Sequence, residues 1–383
     1  MTLAVTGYGC VTPLGAGVPA LIGGWSERRC AIRPIRRFGT SELRVHFGGE
    51  IPDSESEAAS DPRGPRHLRA ALDEAMAASG LPPGSRVLVL VATTKGFLES
   101  GRQLDDAHPA QDVGWPARFV ADELRTRFAL DPLPPLTVST ACASGVTALA
   151  VALAEMAGPG APDAVVCAGV DLLSDFVYRG FAALAAVDPA ACRPFDVDRA
   201  GLSASEAAAV IVLEPEGRAR RRGAAVRGRL LGAGLANDAT HPTAPNREGA
   251  GLVRAIAGAL AAARIDADEL GHVHAHGTAT VFNDAMEIRA LRAALGPAAE
   301  RIAVSTLKGN IGHTFGPAGL VEVIASIEAV RLGVLPPVTG LVRPESGIDV
   351  LTDARRLAGP SFLKTSAGFG GFAGAVVAQG VLP

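Results

Sequence analysis

The sequence predicts an α/β protein built from two similar halves, and three observations lead to this fold class. Leu136–Thr140 reads LTVST and Ile302–Thr306 reads IAVST, and each of these β-branched segments is followed by a turn and then a helix pattern. The two segments begin at positions 136 and 302 of 383, close to half the chain apart. Arg86–Ala92, RVLVLVA, is a continuous apolar run, which is typical of a strand buried on both faces of its sheet.

The other predicted elements of the first half keep this alternation of strand and helix. Leu3–Thr6 is an apolar strand, and His67–Ser79 is a helix that stops at Gly80. A second helix is predicted over Trp115–Phe128, and Ala164–Gly169 forms a further buried strand. Helices that alternate with apolar strands indicate a sheet covered by helices.

The second half repeats the pattern after a junction near Pro215–Ala225. Ala209–Leu213 is the last apolar strand before the junction, and a strand ends at His272–His276 beyond it. The helix-like segment AGLVEVIASIEAVRLG follows the IAVST strand. We therefore divide the chain into an N-terminal half, residues 1–218, and a C-terminal half, residues 219–383.

Composition excludes several functional classes. The net charge of −3 gives no reason to expect nucleic acid or an anionic membrane as a partner, and no run of 18 apolar residues predicts a membrane span. The first 20 residues carry no basic leader, so no signal peptide is expected. The five cysteines are odd in number, widely spaced and without a Cys-x-x-Cys pair. This pattern suits a reducing cytoplasm and argues against structural zinc.

Cys142 lies between the LTVST strand and a helix of small residues, in VSTACASGVTALA. At the start of a helix, the helix dipole and free N–H groups favour thiolate over thiol, and the same N–H groups can hold an oxyanion. A buried cysteine can equally be a small packing residue. From this segment alone both interpretations stand.

A histidine-rich segment, VHAHGTATVFNDAMEI, follows in the second half. His274 and His276 have the same parity on a strand, so they point the same way if the strand is regular. A metal site is a poor interpretation because no second ligand cluster is evident. A better use is a histidine that bonds a developing enolate, whereas His272 and His274 are interpreted as packing residues.

The segment STLKGNIGHTFGPAGLVE lacks the GxxxxGK[ST] pattern of a phosphate loop. Lys308 and His313 lie five residues apart where a helix opens, which favours an active-site lining, and tertiary folding can pair Lys308 with Glu322. Only three of the 36 Lys and Arg residues are lysines, Lys95, Lys308 and Lys364. A lysine retained in such a chain is expected to be needed as lysine, a compact point charge.

A glycine-rich turn, TSAGFGGFAG, lies near the C-terminus and carries Phe369 and Phe372. Aromatic residues are only 4% of the chain, so two of them flanked by glycines indicate a lid or gate rather than plain core.

Together these segments resemble the β-ketoacyl–acyl-carrier-protein synthases, or ketosynthases, of the thiolase-fold superfamily. The resemblance extends over nearly the whole chain, in the family's order, and rests on VTGYGCVTPLG, STACASG, RPFDVDRAG, HAHGTAT, STLKGNIGHT and GFGG. The first of these motifs also resembles a glycine-rich dinucleotide-binding turn, but Thr12 stands where the third glycine belongs, and the ketosynthase resemblance replaces that interpretation. The fold that it implies is thiolase-like, with two similar halves in a five-layered αβαβα arrangement, normally as a dimer.

The resemblance implies a role for each matching residue. Cys142 is the acyl acceptor, and His276, His313 and Lys308 complete the catalytic set. Phe369 is the gate, and its N–H is the second oxyanion donor. The remaining matches are three pantetheine contacts, two supporting acids and the carboxylate paired with the lysine: Thr243, Thr278 and Thr280; Asp284 and Glu287; and Glu322.

The implied activity is decarboxylative Claisen condensation of an acyl-Cys intermediate with a malonyl group on an acyl carrier protein, without metal or organic cofactor. Such free-standing type II enzymes are cytoplasmic and form homodimers, or heterodimers with a chain-length-factor-like subunit. Alternatives on the same fold are an acyltransferase, a malonyl decarboxylase and a non-catalytic chain-length-factor-like partner. The last lacks the nucleophile, whereas Cys142 is present.

Several positions depart from the family's pattern. They are Ala279, the segments 205–207 and 281–283, Ala367, and Phe372 with Ala373. None of them removes a catalytic group. They affect the acyl pocket and the gate, and so favour a specialised polyketide or polyene enzyme, or a specialised fatty-acid enzyme, over a housekeeping one.

Overall fold

A computed structural model describes residues 2–53, 62–100, 103 and 112–382. Its centre is a mixed sheet that runs through both halves of the chain, with two short two-stranded sheets beside it. Within these ranges no helix is both long and apolar enough to span a membrane.

The longest strands, of eight to ten residues, lie in the middle of the large sheet, and the strands elsewhere are shorter. In chain order they are β1 (Leu3–Thr12), β2 (Gly15–Ala16), β3 (Ile32–Pro34), β4 (Phe47–Gly49), β5 (Arg86–Ala92), β6 (Asp131–Pro132), β7 (Leu136–Val138), β8 (Ala164–Asp171), β9 (Ala207–Pro215), β10 (Gly228–Asn237), β11 (His272–His274), β12 (Ala303–Ser305), β13 (Val334–Leu335), β14 (Asp349–Val350), β15 (Arg355–Arg356), β16 (Ser361–Gly368) and β17 (Phe372–Gly380).

The helices lie between these strands. They are α1 (Val18–Ser26), α2 (Arg63–Ser79), α3 (Trp115–Phe128), α4 (Ser144–Ala157), α5 (Asp175–Ala183), α6 (Glu216–Arg221), α7 (Ala250–Ala263), α8 (Val281–Leu295), α9 (Lys308–Ile311) and α10 (Ala318–Leu332), with 3-10 turns at Ala267–Glu269, Gly296–Glu300 and Phe369–Gly371.

Several predicted elements have the bounds that the sequence indicated. The strand Arg86–Ala92 and the helix Trp115–Phe128 agree residue for residue. The LTVST and IAVST segments are strands over three residues each: β7 ends at Val138, before the Ser-Thr pair, whereas β12 runs from Ala303 to Ser305 and leaves only Thr306 to the turn that follows. The first strand continues beyond Thr6 to Thr12, since all ten of its residues are buried between neighbouring strands.

The strand order is the same in the two halves of the sheet. The first half runs β1-β9-β8-β5-β7, and the second runs β10-β17-β16-β11-β12. In each half the first two pairings are antiparallel and the last two are parallel. The turn after β7 and the turn after β12 therefore occupy corresponding places.

Helices cover both faces of each half and fill the space between the halves. Helices α2 and α3 pack on the outer face of the first half, and α7 packs on β10 and β17 of the second. Helices α4 and α10 contact strands of both halves, so they form the central layer. Residues 318–330 of α10 are all buried, because a helix enclosed between two sheets has no face left for water.

The two central helices touch closely where each begins. A Cβ added to Gly319 would lie 2.8 Å from the Val146 backbone nitrogen, and one added to Gly145 would lie 3.0 Å from the Leu320 nitrogen. Only glycine permits this approach of backbone to backbone. The contact brings the turns that precede α4 and α10, and hence Cys142 and His313, to one place.

Candidate active site

The turns after β7, β11, β12 and β16 surround one cavity of about 230 Å³. Seven of the residues that line it have a predicted role in the site: Cys142, His276, His313, Phe369, Thr243, Thr278 and Thr280. Apolar residues complete the wall, among them Phe181, Leu184 and Leu202. Tertiary folding thus gathers side chains that are up to 227 positions apart in the sequence, Cys142 and Phe369 being the most distant of the catalytic set.

Cys142 lies in a tight turn whose backbone is fixed by its neighbours. Ala141 has a φ of 49°, a left-handed conformation that is uncommon for alanine. The Ser144 hydroxyl donates to the Ala141 carbonyl at 2.6 Å and accepts from the Thr140 N–H at 2.9 Å. The strained turn leaves the Cys142 side chain facing the cavity, half-buried, at the start of α4.

The expectation that the helix start favours a Cys142 thiolate is wrong for the free protein. Helix α4 begins at Ser144, two residues after Cys142. Burial raises the pKa of the Cys142 thiol to about 12, although the positive charge of Lys308 opposes the shift. The resting group is therefore a neutral thiol, and its use as a nucleophile needs a proton acceptor.

His276 follows β11 in a turn held by one carboxylate. Glu287 of α8 accepts from the backbone N–H groups of His276 and Gly277, at 2.7 and 2.8 Å. Thr365 donates its hydroxyl to the same carboxylate at 2.6 Å. Gly277 has a positive φ of 44°, and a Cβ there would lie 2.8 Å from the Phe195 ring. Glu287 thus fixes the backbone from which the His276 ring enters the cavity.

Asp284 supports the next turn of this segment. It accepts from the Ala279 N–H at 3.1 Å and from the Phe195 N–H at 2.8 Å. Burial raises the pKa of the Asp284 carboxyl to about 6. Ala279, one of the positions that depart from the family's pattern, has a φ of 67°, so the backbone adopts a left-handed conformation here with a Cβ present.

His313 meets His276 across the cavity, with ring centroids 5.2 Å apart and ring planes nearly perpendicular. Its backbone N–H donates to the Ser203 carbonyl at 2.7 Å, which fixes the turn after α9. Burial, then the charge of Lys308, holds the pKa of both imidazoles well below the usual range. Both rings are therefore neutral, so each has one N–H donor and one lone pair.

These imidazoles have hydrogen-bonding capacity to spare. Three of their ring nitrogens have no hydrogen-bond partner among the described residues: both nitrogens of His313 and the Nδ1 of His276. Buried polar atoms without partners are costly in a folded protein, and their presence beside a cavity indicates a site that binds a polar group.

Lys308 is fully buried behind the histidines, and its Nζ lies 2.5 Å from Glu322 Oε1 of α10. The pairing of these two residues, 14 apart in the sequence, is the one that the sequence suggested. Burial opposes ionisation of Glu322, but Lys308 and Lys364 together hold the pKa of its carboxyl below its usual value. The Glu322 carboxylate is therefore charged inside the protein, with both lysine side chains against it.

Phe369 lines the cavity together with the histidines. Its ring stacks on Phe181 with a centroid separation of 5.3 Å. The preceding Gly368 runs so close to the nucleophile turn that an added Cβ would lie 3.1 Å from the Cys142 nitrogen. The backbone of the GFGG turn thus lies beside the backbone N–H of Cys142. Phe372, by contrast, is more than one-third exposed at the start of β17 and does not line the cavity.

The three threonines with a predicted role lie at the cavity wall. The Thr278 and Thr280 hydroxyls are 3.0 Å apart, and Thr243 belongs to an exposed loop on the same cavity. A row of hydroxyls at a cavity wall is suited to a polar, uncharged arm.

His272 and His274 lie outside this cavity. His274 is fully buried, contacts Ser326 through Nδ1 at 2.9 Å and packs on Trp25. Strand β11 ends at His274, so the parity that would align it with His276 does not continue to that residue. Among the described residues no cluster of three or more His, Cys, Asp or Glu side chains is arranged to hold a metal.

Two charged residues of this region were given no role in the site from the sequence. Lys364 of β16, which the scarcity of lysine had singled out without placing it, is fully buried with its Nζ 2.7 Å from Glu322 Oε2. Asp171, at the end of β8, accepts from the Gly316 N–H at 2.8 Å and pairs with Lys95 at 3.3 Å. No sequence pattern singled out Asp171.

Comparisons with known proteins agree with this geometry. Residues 2–219 match the family model of the beta-ketoacyl synthase N-terminal domain, and residues 227–341 match that of the C-terminal domain. The chain is 31% identical to the 3-oxoacyl-[acyl-carrier-protein] synthase 2 of Synechocystis sp., over 96% of this chain and 95% of that protein. It is 33% identical to the putative polyketide beta-ketoacyl synthase 1 of Streptomyces cyaneus, over 99% and 98%.

A solved structure is similar over its full length. A chain of the ishigamide ketosynthase/chain length factor superposes with a TM-score of 0.86 and 28% identity, covering 99% of each chain. The predicted thiolase-like α/β fold is thereby confirmed.

Proposed function

The chain belongs to the β-ketoacyl synthase family, a class of acyltransferases, and we propose that it joins an acyl group held on Cys142 to a malonyl unit with loss of CO2. One observation carries the proposal: Cys142, His276 and His313 line a single cavity. A thiol and two neutral imidazoles with unpartnered nitrogens are the groups that this reaction needs.

The first step is transfer of an acyl group from a carrier-protein thioester to Cys142. The neutral thiol gives its proton to one of the adjacent imidazoles as sulfur attacks the carbonyl carbon. The oxyanion that forms is held by the backbone N–H groups of Cys142 and Phe369. Collapse of the intermediate breaks the carbon–sulfur bond to the carrier, which leaves as its thiol after it takes up the proton.

The second step generates the carbon nucleophile. The malonyl thioester oxygen accepts N–H bonds from His276 and His313, and the carbon–carboxylate bond breaks so that its electrons form an enolate while CO2 leaves. Lys308 contributes positive charge behind the two rings and orients His313. The buried setting strengthens these interactions because water is excluded from them.

The third step forms the new carbon–carbon bond. The enolate carbon attacks the carbonyl of the acyl-Cys142 thioester, and the same two N–H groups hold the oxyanion. Expulsion of the Cys142 thiolate, which is reprotonated, releases a β-ketoacyl chain two carbons longer. None of these steps uses a metal or an organic cofactor, and we propose that the enzyme needs none.

We propose roles for the other residues of the site from their contacts. Thr243, Thr278 and Thr280 bind the phosphopantetheine arm, and Phe369 gates the cavity. Asp284 and Glu287 hold the turns around His276, and Glu322 holds Lys308. The division into halves 1–218 and 219–383 is supported by the repeated strand order.

We propose that the enzyme is cytoplasmic and acts in polyketide, polyene or specialised fatty-acid biosynthesis, with an acyl carrier protein as its partner. Relatives of both kinds, named for fatty-acid-type and polyketide synthases, support the range of pathways. The structural match to a ketosynthase/chain length factor supports assembly either as a homodimer or with a chain-length-factor-like subunit. Co-expression with its neighbouring genes and mass measurement of the purified complex tests this choice.

Intact mass of the protein after incubation with an acyl-carrier thioester tests the activity. We expect the mass of one acyl group on the wild type and on Cys30→Ala, which alters a half-buried cysteine outside the cavity, but none on Cys142→Ala. An acylated Cys142→Ala protein contradicts the proposal.

Addition of malonyl carrier then separates the related activities. We expect a product two carbons longer together with CO2. Release of CO2 without a longer chain identifies a malonyl decarboxylase, and acyl transfer without either identifies an acyltransferase.

A further inference from the structure

All three lysines of this arginine-rich chain are buried, and each lies in an ion pair. Lys95 pairs with Asp171, whereas Lys308 and Lys364 both pair with Glu322. The mechanism above uses Lys308 alone. Lys364 is fully buried, so it has no solvent to hydrate its charge, and a buried ammonium is retained only at a cost. Its position therefore calls for a reason in the chemistry of the site.

Lys364 joins the strand behind the histidines to the central helix. It lies on β16 opposite His274 of β11, and its Nζ reaches Glu322 Oε2 of α10 at 2.7 Å. The same Nζ donates to the backbone carbonyl of Thr365 and, at 3.4 Å, to that of Ala275, the residue before His276. One ammonium thus contacts both the carboxylate that holds Lys308 and the backbone that carries His276.

The charges explain what a second lysine changes. Lys308 with Glu322 alone is a neutral pair, whose attraction for a developing anion is reduced by its own carboxylate. Glu287 brings a second buried carboxylate to the same region. With Lys364 present, two ammonium groups share Glu322, so this triad of Lys308, Glu322 and Lys364 has a net charge of +1 beside two neutral imidazoles.

We propose that Lys364 is a positioning residue for the decarboxylation step: it shares Glu322 with Lys308, so that Lys308 keeps positive charge for the enolate bound by His276 and His313. The proposal rests on the proposed function. It assigns to Lys364 a large effect on the malonyl half of the reaction and at most a small one on the loading of Cys142, because the oxyanion of loading is held by backbone N–H groups, whereas the enolate is bound by the histidines beside the lysines.

The titration of Lys364 offers a readout. Burial lowers the pKa of its ammonium to about 8, against the opposing effect of Glu322. The other charged or titratable groups that face it are Lys308 on α9, Glu287 on α8, His274 and His276 on and after β11, and His313 after α9. The histidines are already neutral at pH 7. A loss of activity between pH 7 and pH 9 therefore indicates deprotonation of a lysine of the triad.

The test measures two rates on the full-length enzyme, acylation of Cys142 by intact mass and CO2 release from malonyl carrier, between pH 6 and pH 9.5. The wild type is expected to lose CO2 release as pH rises through about 8. Lys364→Met keeps the chain length without the charge. We expect it to load Cys142 within threefold of wild type, to release CO2 at least tenfold more slowly, and to lack the decline near pH 8.

Two further variants keep the test decisive. Lys364→Arg retains a charge that does not titrate in this range, so its decline with pH should move above pH 9.5 even if its rate is lower. Lys364→Met/Glu322→Gln removes both charges and leaves Lys308 unopposed, so it should release CO2 faster than Lys364→Met.

Lys95→Met, which removes another buried lysine, is the control and should keep the decline near pH 8.

CO2 release by Lys364→Met within threefold of wild type, with the same decline near pH 8, overturns the inference. If that variant fails to fold, an unshifted decline in Lys364→Arg overturns it instead. A wild type that loads Cys142 but releases no CO2 contradicts the proposed function itself, which separates the two failures.

Discussion

The turn after β7 and the turn after β12 hold the same place in two halves that share one strand order, but they carry different chemistry. The first places a half-buried thiol, Cys142, at the cavity. The second places Lys308 and His313, which are buried almost completely. A nucleophile must be reached by its substrate, whereas a charge that acts on a developing anion acts more strongly away from water. Duplicated scaffolds can therefore supply two different halves of one active site.

The two turns also meet their backbone demands differently. The first contains Ala141 at a φ of 49°, with no glycine to ease it. The second uses Gly312 at a φ of 79° but places Phe315 at 58° soon afterwards. Both turns hold side chains in sparsely populated conformations, as is common where a site is fixed in advance of its substrate.

The largest expected effect comes from removing the imidazole of the second turn. His313→Ala should slow CO2 release from malonyl carrier by about 1,000-fold, or about 4 kcal/mol, since one of two N–H donors to the enolate is lost. Loading of Cys142 should fall by no more than about tenfold because His276 can still take the thiol proton. The control is His46→Ala, a half-buried histidine outside the cavity. Equal losses in both steps contradict this division of labour between the turns.

The next effect tests whether the second turn needs a lysine or only a positive charge. Lys308→Arg keeps the charge, but its planar guanidinium does not fit the space of a compact ammonium that lies 2.5 Å from Glu322. We expect condensation to fall by about 100-fold, or about 2.7 kcal/mol. Turnover assays with the wild type and with Lys95→Arg alongside measure it; near-normal turnover of Lys308→Arg refutes the requirement.

A smaller effect tests the contact that joins the two turns. Gly319→Ala places a Cβ 2.8 Å from the Val146 nitrogen, so α4 and α10 must separate. We expect a loss of about 1–3 kcal/mol in the free energy of unfolding, together with slower condensation. Gly180→Ala in α5 is the matched control, since no atom lies within 4 Å of its Cβ, and it should stabilise slightly. If the two variants are equally stable in denaturant unfolding, close contact between α4 and α10 at Gly319 does not contribute to stability.

The smallest effect concerns backbone strain in the first turn. Ala141→Gly relieves the left-handed alanine and should raise the free energy of unfolding by up to about 1 kcal/mol, with a looser turn and slower loading of Cys142. Ala143→Gly, at a right-handed helical residue two positions later, should instead lower it by about 0.5–1 kcal/mol. Stability changes of the same sign in both variants show that strain at Ala141 is negligible.

Much of the fold and the site could be predicted because the signals are local. Buried strands such as Arg86–Ala92 are apolar runs, and the two Val-Ser-Thr segments indicate two similar halves, which agrees with the repeated strand order. The reactive residue types stand in short glycine-rich motifs, so Cys142, His276 and Lys308 are visible in the sequence. Their roles there rest on resemblance to a family, and the cavity that they share is a tertiary observation.

The rest depends on contacts between distant segments. The prediction of a Cys142 thiolate at the start of α4 is wrong because burial raises the pKa of the thiol. No local sequence pattern indicates that burial. Asp171 was not identified, and Lys364 was noted only for the scarcity of lysine, because the contacts of each are with partners on other strands and helices.

The sequence by itself determined the family, the duplicated α/β architecture and the residue types of the site, since motifs and periodicity are properties of neighbouring residues. Only the tertiary structure decided that two central helices meet at Gly145 and Gly319, that the thiol and both imidazoles are neutral, and that two lysines share Glu322. Those facts follow from burial and from charges a few ångströms apart, which arise when segments far apart in the chain pack together.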